Sequence, residues 1–434
     1  MSRRRAYAAV AAACVVPRLA VLLHERGTIT AAFTEKSDVF ARTFVHTGTY
    51  GFLPGEPSAY TQPLYGFVLI PVYWLAGSGW LAIGLAQIAL ALVTAWLVYE
   101  IGRRVVGARA GAVAAAIATL NPYLVWHDVH VNREIVDQVC AAALVLLALL
   151  VAERPSRRLA ALLGVVTGLA ILGNTRLVGI PVLCAAYLLW RLPRTRAAAV
   201  AGALVLGGAA VAVAPWLLRN KVELGCWAIT TDGRALWKAN NPQTYPLLSS
   251  GQWIDNVSPT SIRPPAPNRI TPEEAWGYLE KGRPDYAYRL YPNECAQMRF
   301  YEHQAFRWVR DHPGAKAKLG LLSLRLLWQP SVTETSGRPG AGTQLDVGRR
   351  IVEPVYMWVL YALAAAGLLL VPRPFAALVL ALLAYDSAAA FAFVGATRYR
   401  VAWDFLVALL AAAALARAAE WARERRGQRE AVGV

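Results

Sequence analysis

The chain has 434 residues, of which 57% are hydrophobic and only 16% are charged, against about 25% charged residues in an ordinary soluble domain. Its 44 basic and 27 acidic residues give a formal net charge of +17, a balance that in a soluble protein would point to nucleic acid. Here the apolar runs are long and the bridges between them short and arginine-rich. That excludes a soluble enzyme and a fibrous or disordered protein, removes nucleic acid as a partner, and turns the charge into a topology signal.

The N-terminal stretch MSRRRAYAAVAAACVVPRLAVLL has the traits of a signal peptide, but its apolar run is long and no small-residue cleavage site follows. It therefore reads as a retained first span, residues 6–24. Further spans of about 20 apolar residues are expected at 79–101, 108–126, 134–152, 159–174, 177–190, 197–216, 351–371, 374–395 and 401–418, ten in all. The apolar segment 60–77 contains Pro63 and Pro71 and ends in Gly77. Counted as a span it would put Arg103, Arg104, Arg109 and the RPSRR and RLPRTR bridges outside, so it reads as an interfacial or re-entrant helix. Arg3–Arg5, the 103–109 loop, Arg154–Arg158, Arg191–Arg196, Arg373 and the tail after Arg417 then all lie inside. The expectation is an all-α multi-pass protein of the cell membrane with both termini cytoplasmic.

This topology divides the chain into three parts. Residues 1–216 form a transmembrane module whose first outer loop, 25–78, carries juxtamembrane helices. Residues 217–350 form an extracytoplasmic loop domain, polar and rich in Pro, Asn and aromatics, as in NNPQTYP and SIRPPAPNRITP. Residues 351–434 add the last spans and a basic cytoplasmic tail. Near the end of the loop domain, KAKLGLLSLRLLWQP spaces Leu and Trp at helical intervals beside Lys316, Lys318 and Arg325. It suits a helix lying on the membrane surface, or a core helix of the loop domain. No internal repeat is visible. Cys226 and Cys295 both fall in the outer loop domain, where a disulfide or two free thiols are equally allowed.

Ionisable groups beside membrane spans are costly and usually functional, and outside the arginine bridges they gather at the outer ends of spans. The first group is FTEKSDVFARTFVHTGTYGF, with Glu35 and Asp38 three residues apart and on one face of any helix. Capping of the turn that follows is the structural alternative. The second is NPYLVWHDVHVNREIVDQ, in which His127, His130 and Glu134 share a face if the turn is helical. Two histidines and a carboxylate leave a divalent metal possible, though the spacing is no zinc signature and a polar interfacial turn explains it equally. The third is a set of outer arginines: Arg176 in GNTR, Arg219 with Asn220 in PWLLRN, and Arg398 and Arg400 flanking Tyr399 in ATRYR. Snorkelling accounts for one such arginine. Four standing against the charge rule point to a ligand bearing phosphate, which guanidinium forks bind well. A carboxylate above them could act as a general base on an acceptor hydroxyl.

These segments, in this order, resemble the GT-C superfamily of membrane glycosyltransferases, in particular family 39-like enzymes related to protein mannosyltransferases and the lipid A aminoarabinose transferase. SDVFARTFVHTGTYGF resembles the first outer loop, AYTQPLYGFVL the segment after it, and EIGRRVVGARAG the cytoplasmic turn. NPYLVWHDVHVNREIV resembles the entry to the fourth span, APWLLRNKVELG…NNP the PW-x-x-RN element, and TRYRVAWDFLVALLA the RY motif before the last span. The resemblance implies a transferase that takes a sugar from a polyprenyl-phosphate donor and passes it to a glycan, lipid or protein acceptor at the bilayer surface. By the same resemblance Asp38 is the catalytic base and Glu134 the acidic residue at the fourth span. Arg176, Arg219, Arg398 and Arg400 are the donor-phosphate candidates. Glu35, His127, His130, Asn220 and Tyr399 are candidates for the cavity and the acceptor. No cofactor is firmly expected. Protein mannosyltransferases carry adjacent Asp-Glu at the first-loop site, whereas Asp38 is followed by Val39, which weighs against a protein acceptor. Two other readings remain: a polymerase or ligase of lipid-linked glycans, and a transporter or flippase.

Overall fold

The computed structural model describes residues 2–31, 35–193, 196–257, 294–330 and 351–432. Of the described residues 80% are helical and none lies in a strand, the all-α polytopic class expected. The first module contains α1 (Arg3–Glu25), α2 (Thr28–Ala31), α3 (Lys36–Thr47), α4 (Pro63–Ala76), α5 (Trp80–Val105), α6 (Ala108–Thr119), α7 (Pro122–His127), α8 (Glu134–Glu153), α9 (Arg157–Gly173), α10 (Ile180–Arg191) and α11 (Arg196–Leu224). The described part of residues 217–350 holds α12 (Gly233–Ala239), α13 (Thr244–Ser249), α14 (Glu294–Asp311) and α15 (Pro313–Trp328). The last helices are α16 (Glu353–Leu368), α17 (Arg373–Ala392), α18 (Thr397–Arg400) and α19 (Asp404–Val432). Six of them, α1, α5, α8, α11, α17 and α19, are long and apolar enough to cross a membrane, and α4, α6 and α16 are shorter apolar helices.

Helices stand at all ten positions expected for spans, with two boundaries redrawn. The 108–126 segment is two helices, because Asn121 caps α7 by accepting the Tyr123 N–H and Pro122 occupies its first turn. The 197–216 segment is longer than read: α11 has 29 residues, about 44 Å of helix against a hydrocarbon core of about 30 Å. Its last turns carry Arg219 and the buried Asn220. The 60–77 segment is α4, 14 residues and about 21 Å long, which, like the 12-residue α6 and α10, is less than that core.

Close backbone contact fixes part of the bundle. A Cβ on Gly164 would lie 2.4 Å from the Val205 carbonyl oxygen, and one on Gly168 2.7 Å from that of Ala209. The glycines are four residues apart on one face of α9, so α11 lies directly against it, as small residues permit in lipid. A second fastening is ionic. Arg18 of α1 is 1% exposed and donates from Nε (3.0 Å) and Nη2 (2.7 Å) to Asp128 Oδ2, while its Nη1 serves Cys14 O, Thr119 O and Thr119 Oγ1. Gln138 donates to the other Asp128 oxygen at 2.9 Å. At the opposite end of α5, Glu100 collects Arg3, Arg103, Arg104 and the Tyr7 hydroxyl. Arg154 after α8, Arg157 at the start of α9, Arg191 at the end of α10 and Arg373 at the start of α17 stand, like Glu100, at helix ends opposite those that carry Glu134, Asn174, Gly179 and Val394.

The outer segments hang from the top of α11. The Trp216 indole donates to Ile229 O and the Asn220 amide to Ala228 O, both at 2.7 Å. Arg219 donates to the backbone carbonyls of Ser58 and Tyr50 at 3.0 Å each. Cys226 and Cys295 are disulfide-bonded with their Cα atoms 6.0 Å apart, which resolves the open alternative. Beside the bridge, buried Glu294 accepts from the Ser58 and Thr231 hydroxyls and from Ala59 N–H, joining the first outer loop to α14. Of the loop-domain motifs, SIRPPAPNRITP lies outside the described residues.

Burial raises the Glu294 pKa from its ordinary 4.5, and the donors from Ser58, Thr231 and Ala59 only partly offset it. The folded chain thus favours the neutral acid, and the stability this contributes at low pH is lost as pH rises from about 4.5 through the raised folded value. Glu294→Gln, which cannot ionise, should gain thermal stability relative to wild type across that rise. Glu294→Ala, which strands three donors, should cost about 2–4 kcal/mol. Parallel pH profiles of unfolding for wild type and Gln would contradict this.

The KAKLGLLSLRLLWQP helix is α15, and it differs from expectation in one respect. Lys316 is not on its outer face but shares a buried stripe with Leu319, Gly320, Ser323, Leu326 and Leu327 against α17 and α18. Its ammonium donates to Asn240 Oδ1 (2.6 Å) and Ala392 O (2.8 Å).

Candidate functional site

Asp38 lies in the first turn of α3, which is flanked by Glu35 at the N-cap and by Gly48 at the C-cap, left-handed at φ 75°. The buried side of α3 carries Phe40, edge-on to Tyr50 and Phe52 at 5.1 and 4.7 Å, and this aromatic packing sets the rotation of the helix. It turns Asp38 toward α4. Both oxygens of Asp38 accept from Arg42 Nε at 3.0 Å, and Oδ1 also accepts from the Tyr73 hydroxyl. Arg42 is in turn held by Ser78 Oγ (2.6 Å) and Ser78 O (3.0 Å). The carboxylate is thus oriented by two groups, Arg42 and Tyr73, with Oδ2 less encumbered than Oδ1.

A second part of the site gathers where α8, α18 and the 174–176 turn meet. Glu134 opens α8 and is 4% exposed. Arg398 reaches it with Nε (2.7 Å) and Nη2 (2.6 Å), both on the same oxygen, and Nη1 has no partner among the described residues. Arg133 donates to Gln62 of the first outer loop and lies 3.9 Å from Glu35. The Arg176 guanidinium lies flat against the Tyr399 ring, 3.7 Å from its centroid, and donates to Val394 O. Its position is set by Asn174, which accepts the Arg176 N–H at 3.2 Å and donates to Asp137 at 3.1 Å. Glu35, Arg133, Glu134, Arg398, Arg176 and Tyr399 therefore form one cluster. The two parts are neighbours: both Asp38 and Glu35 act electrostatically on Tyr65 between them.

Of the remaining sequence candidates, His127 stays close enough to act electrostatically on Glu134, and the others are engaged apart from the cluster. Arg219 and Asn220 are occupied in holding the backbone of the outer segments, as described above. Arg400 is 1% exposed and bound to Asp404 (3.0 Å), Leu327 O (2.9 Å) and Gln329 O (2.6 Å), so it fastens α18 to α15 and α19. All three, named among the donor-phosphate and cavity candidates, bond to protein groups here. His127 and His130 do not share a face with Glu134, because the chain leaves the helix after His127. His127 stacks on Tyr123 at 4.4 Å, whereas His130 lies 3.7 Å from Glu25 and hydrogen-bonds Trp126 O. Among the described residues no three His, Cys, Asp or Glu side chains come together as a metal site.

Sequence reasoning passed over Arg133, Arg42 and Tyr73. Arg42 was legible as the i+4 partner of Asp38, and Arg133 as the neighbour of Glu134. Nothing local marked Tyr73, which meets Asp38 across a helix pair.

Residues 57–218 match the model of the dolichyl-phosphate-mannose-protein mannosyltransferase family; Glu134, Arg133 and Arg176 lie inside the match, and Asp38 and Arg398 outside it. No curated protein is matched by sequence. In fold, the whole chain aligns with the archaeal oligosaccharyltransferase AglB from Archaeoglobus fulgidus, solved with an inhibitory peptide and a dolichol-phosphate, at 13% identity and a TM-score of 0.51. The chain spans 53% of AglB's length. ArnT from Cupriavidus metallidurans, bound to undecaprenyl phosphate, aligns over 93% of this chain and 78% of its own at 18% identity, with a TM-score of 0.42.

Proposed function

We propose that this chain, a polytopic membrane protein with the fold of the GT-C glycosyltransferase superfamily, transfers a sugar from a polyprenyl-phosphate donor to an acceptor hydroxyl on the extracytoplasmic side of the membrane. The observation that carries the reading is the pairing of an oriented carboxylate, Asp38, with a cluster of three arginines, Arg133, Arg176 and Arg398, at the same end of the bundle. The family match, described by a dolichyl-phosphate-mannose donor, and the dolichol-phosphate in AglB support a lipid-phosphate donor. The arginine bridges at the opposite end support the sidedness.

In this mechanism the donor's tail lies in the bilayer and its phosphate meets the arginines. Arg398 offers Nη1, the group its ion pair with Glu134 leaves over, while Glu134 and Tyr399 fix the guanidinium planes. Asp38 Oδ2 takes the proton of the acceptor hydroxyl as that oxygen attacks the anomeric carbon. The bond from that carbon to the phosphate oxygen breaks with inversion, and the electron pair leaves on polyprenyl phosphate, whose growing charge the preorganised arginines stabilise. Tyr73 and Arg42 hold Asp38 in place, which supplies part of the rate through orientation.

The test is to incubate the purified chain with a panel of polyprenyl-phosphate sugars and to measure released polyprenyl phosphate. Release from at least one donor is expected, and none from any would remove the reading. Arg398→Ala should raise the KM for that donor by roughly ten- to a hundredfold, the loss of about 1.5–3 kcal/mol from a charged contact. A larger change in the acceptor's KM would count against the phosphate role.

A further inference from the structure

The outer loop domain carries a groove of about 310 Å³ that the mechanism does not use. One wall is a stripe of α14, where Gln304, Arg307, Trp308 and Asp311 fall at i, i+3, i+4 and i+7 and so project together. The opposite wall is the turn after α12, where Asn241 Oδ1 accepts the Gln243 N–H at 2.8 Å and the Asn241 amide donates to Trp237 O at 2.9 Å. Trp237, 5% exposed, closes the floor. The turn is therefore rigid, and Trp308 is braced by stacking with His312 at 6.0 Å.

The lining is specific in its chemistry. Two indoles offer flat apolar faces. Arg307 can only donate, Asp311 can only accept, and the carboxamides of Gln304 and Gln243 can do both. Asp311 is already ion-paired with Arg310 at 2.9 Å, so the indoles, the carboxamides and Arg307 carry most of the lining's chemistry. The volume is at the low end of the ~300–1,000 Å³ typical of small-ligand sites, so it admits a ring or two and not a helix. A sugar ring matches all of this, with a C–H face for the indole and hydroxyls that both donate and accept. A relay of contacts runs from the groove's helix toward the arginine cluster: Lys238 of α12 is bound to Asp255 at 3.1 Å, and Trp253, close by in the chain, lies 6.2 Å from the ring of Tyr399, the neighbour of Arg398.

We propose that this groove binds a neutral sugar ring of a glycan acceptor, stacked on Trp308 and hydrogen-bonded by Arg307, Asp311 and Gln304. The assignment of the ring to an acceptor rests on the transferase reading above. The test is saturation-transfer NMR on the detergent-purified full chain with mannose, galactose, glucose and arabinose oligosaccharides of two to six rings. At least one should bind, and Trp308→Ala and Arg307→Ala should each weaken it roughly tenfold, about 1.4 kcal/mol. Arg307 is exposed, so its variant decides the matter if Trp308→Ala fails to fold. Absence of binding across the panel, or undiminished binding in the folded variants, would overturn the proposal. The measurement needs no donor. A chain that binds sugar but releases no polyprenyl phosphate keeps the groove and loses the transferase reading, and the converse loses the groove alone.

Discussion

Asp38→Asn should lower sugar transfer by about a thousandfold, within the 10²–10⁴ range of general-base contributions, in a chain that still folds. Asparagine is nearly isosteric and keeps an oxygen for Arg42 and Tyr73, so the first outer loop retains its seat, but it cannot take a proton from the acceptor. Tyr73→Phe should be far milder, because it loosens the carboxylate without removing it. The comparison is made on product formed per folded protein, with the thermal midpoint of each variant as the control. Full transfer by Asp38→Asn would remove the base from the mechanism. A loss matched by Tyr73→Phe would mean that orientation dominates.

The largest effect on stability is expected at a residue remote from the chemistry. Asp128→Ala leaves Arg18 charged, 1% exposed and without its counter-ion, at a cost of about 3–5 kcal/mol. The double variant Arg18→Met, Asp128→Leu removes both charges and should recover most of the loss, since a buried pair replaced by apolar groups of similar size is often neutral. Thermal unfolding of both variants in one detergent checks this. A double variant no more stable than Asp128→Ala would show that the hydrogen bonds to Thr119 and Gln138, and not the ion pair, hold that corner.

The extent to which this molecule could be read from its sequence follows from the range of the interactions. The helices at the ten expected positions rest on composition over about 20 residues, a local property, and all are present. The breaks came from capping: Asn121-Pro122 announces a helix start that hydropathy alone hides. Glu134, Arg176 and Arg398, which the fold brings into one cluster, stood out in the sequence because ionisable groups at span ends are costly. The same rule could not separate Arg398, which meets a carboxylate and retains a spare nitrogen, from Arg400 four residues before Asp404, or from Arg219, whose partners are carbonyls 161 and 169 positions away in the chain. Backbone carbonyls carry no sequence signature, so an arginine bound to them looks like one awaiting a ligand. Arg18 was open to detection as a charge within an apolar run, but its partner lies 110 residues away. The His127–His130–Glu134 face failed because it assumed a continuous helix where Asp128–Arg133 forms a turn.

The Cys226–Cys295 bridge, with its 69-residue separation, makes the intervening stretch a covalent ring. A protease that cuts once inside that ring produces two chains but no loose fragment, because each new end stays tethered through sulfur to the top of α11. Nicked protein would migrate as full length on a non-reducing gel and as two pieces only after reduction. Resistance to limited digestion is therefore a poor gauge of how the outer segments are held unless thiol is present.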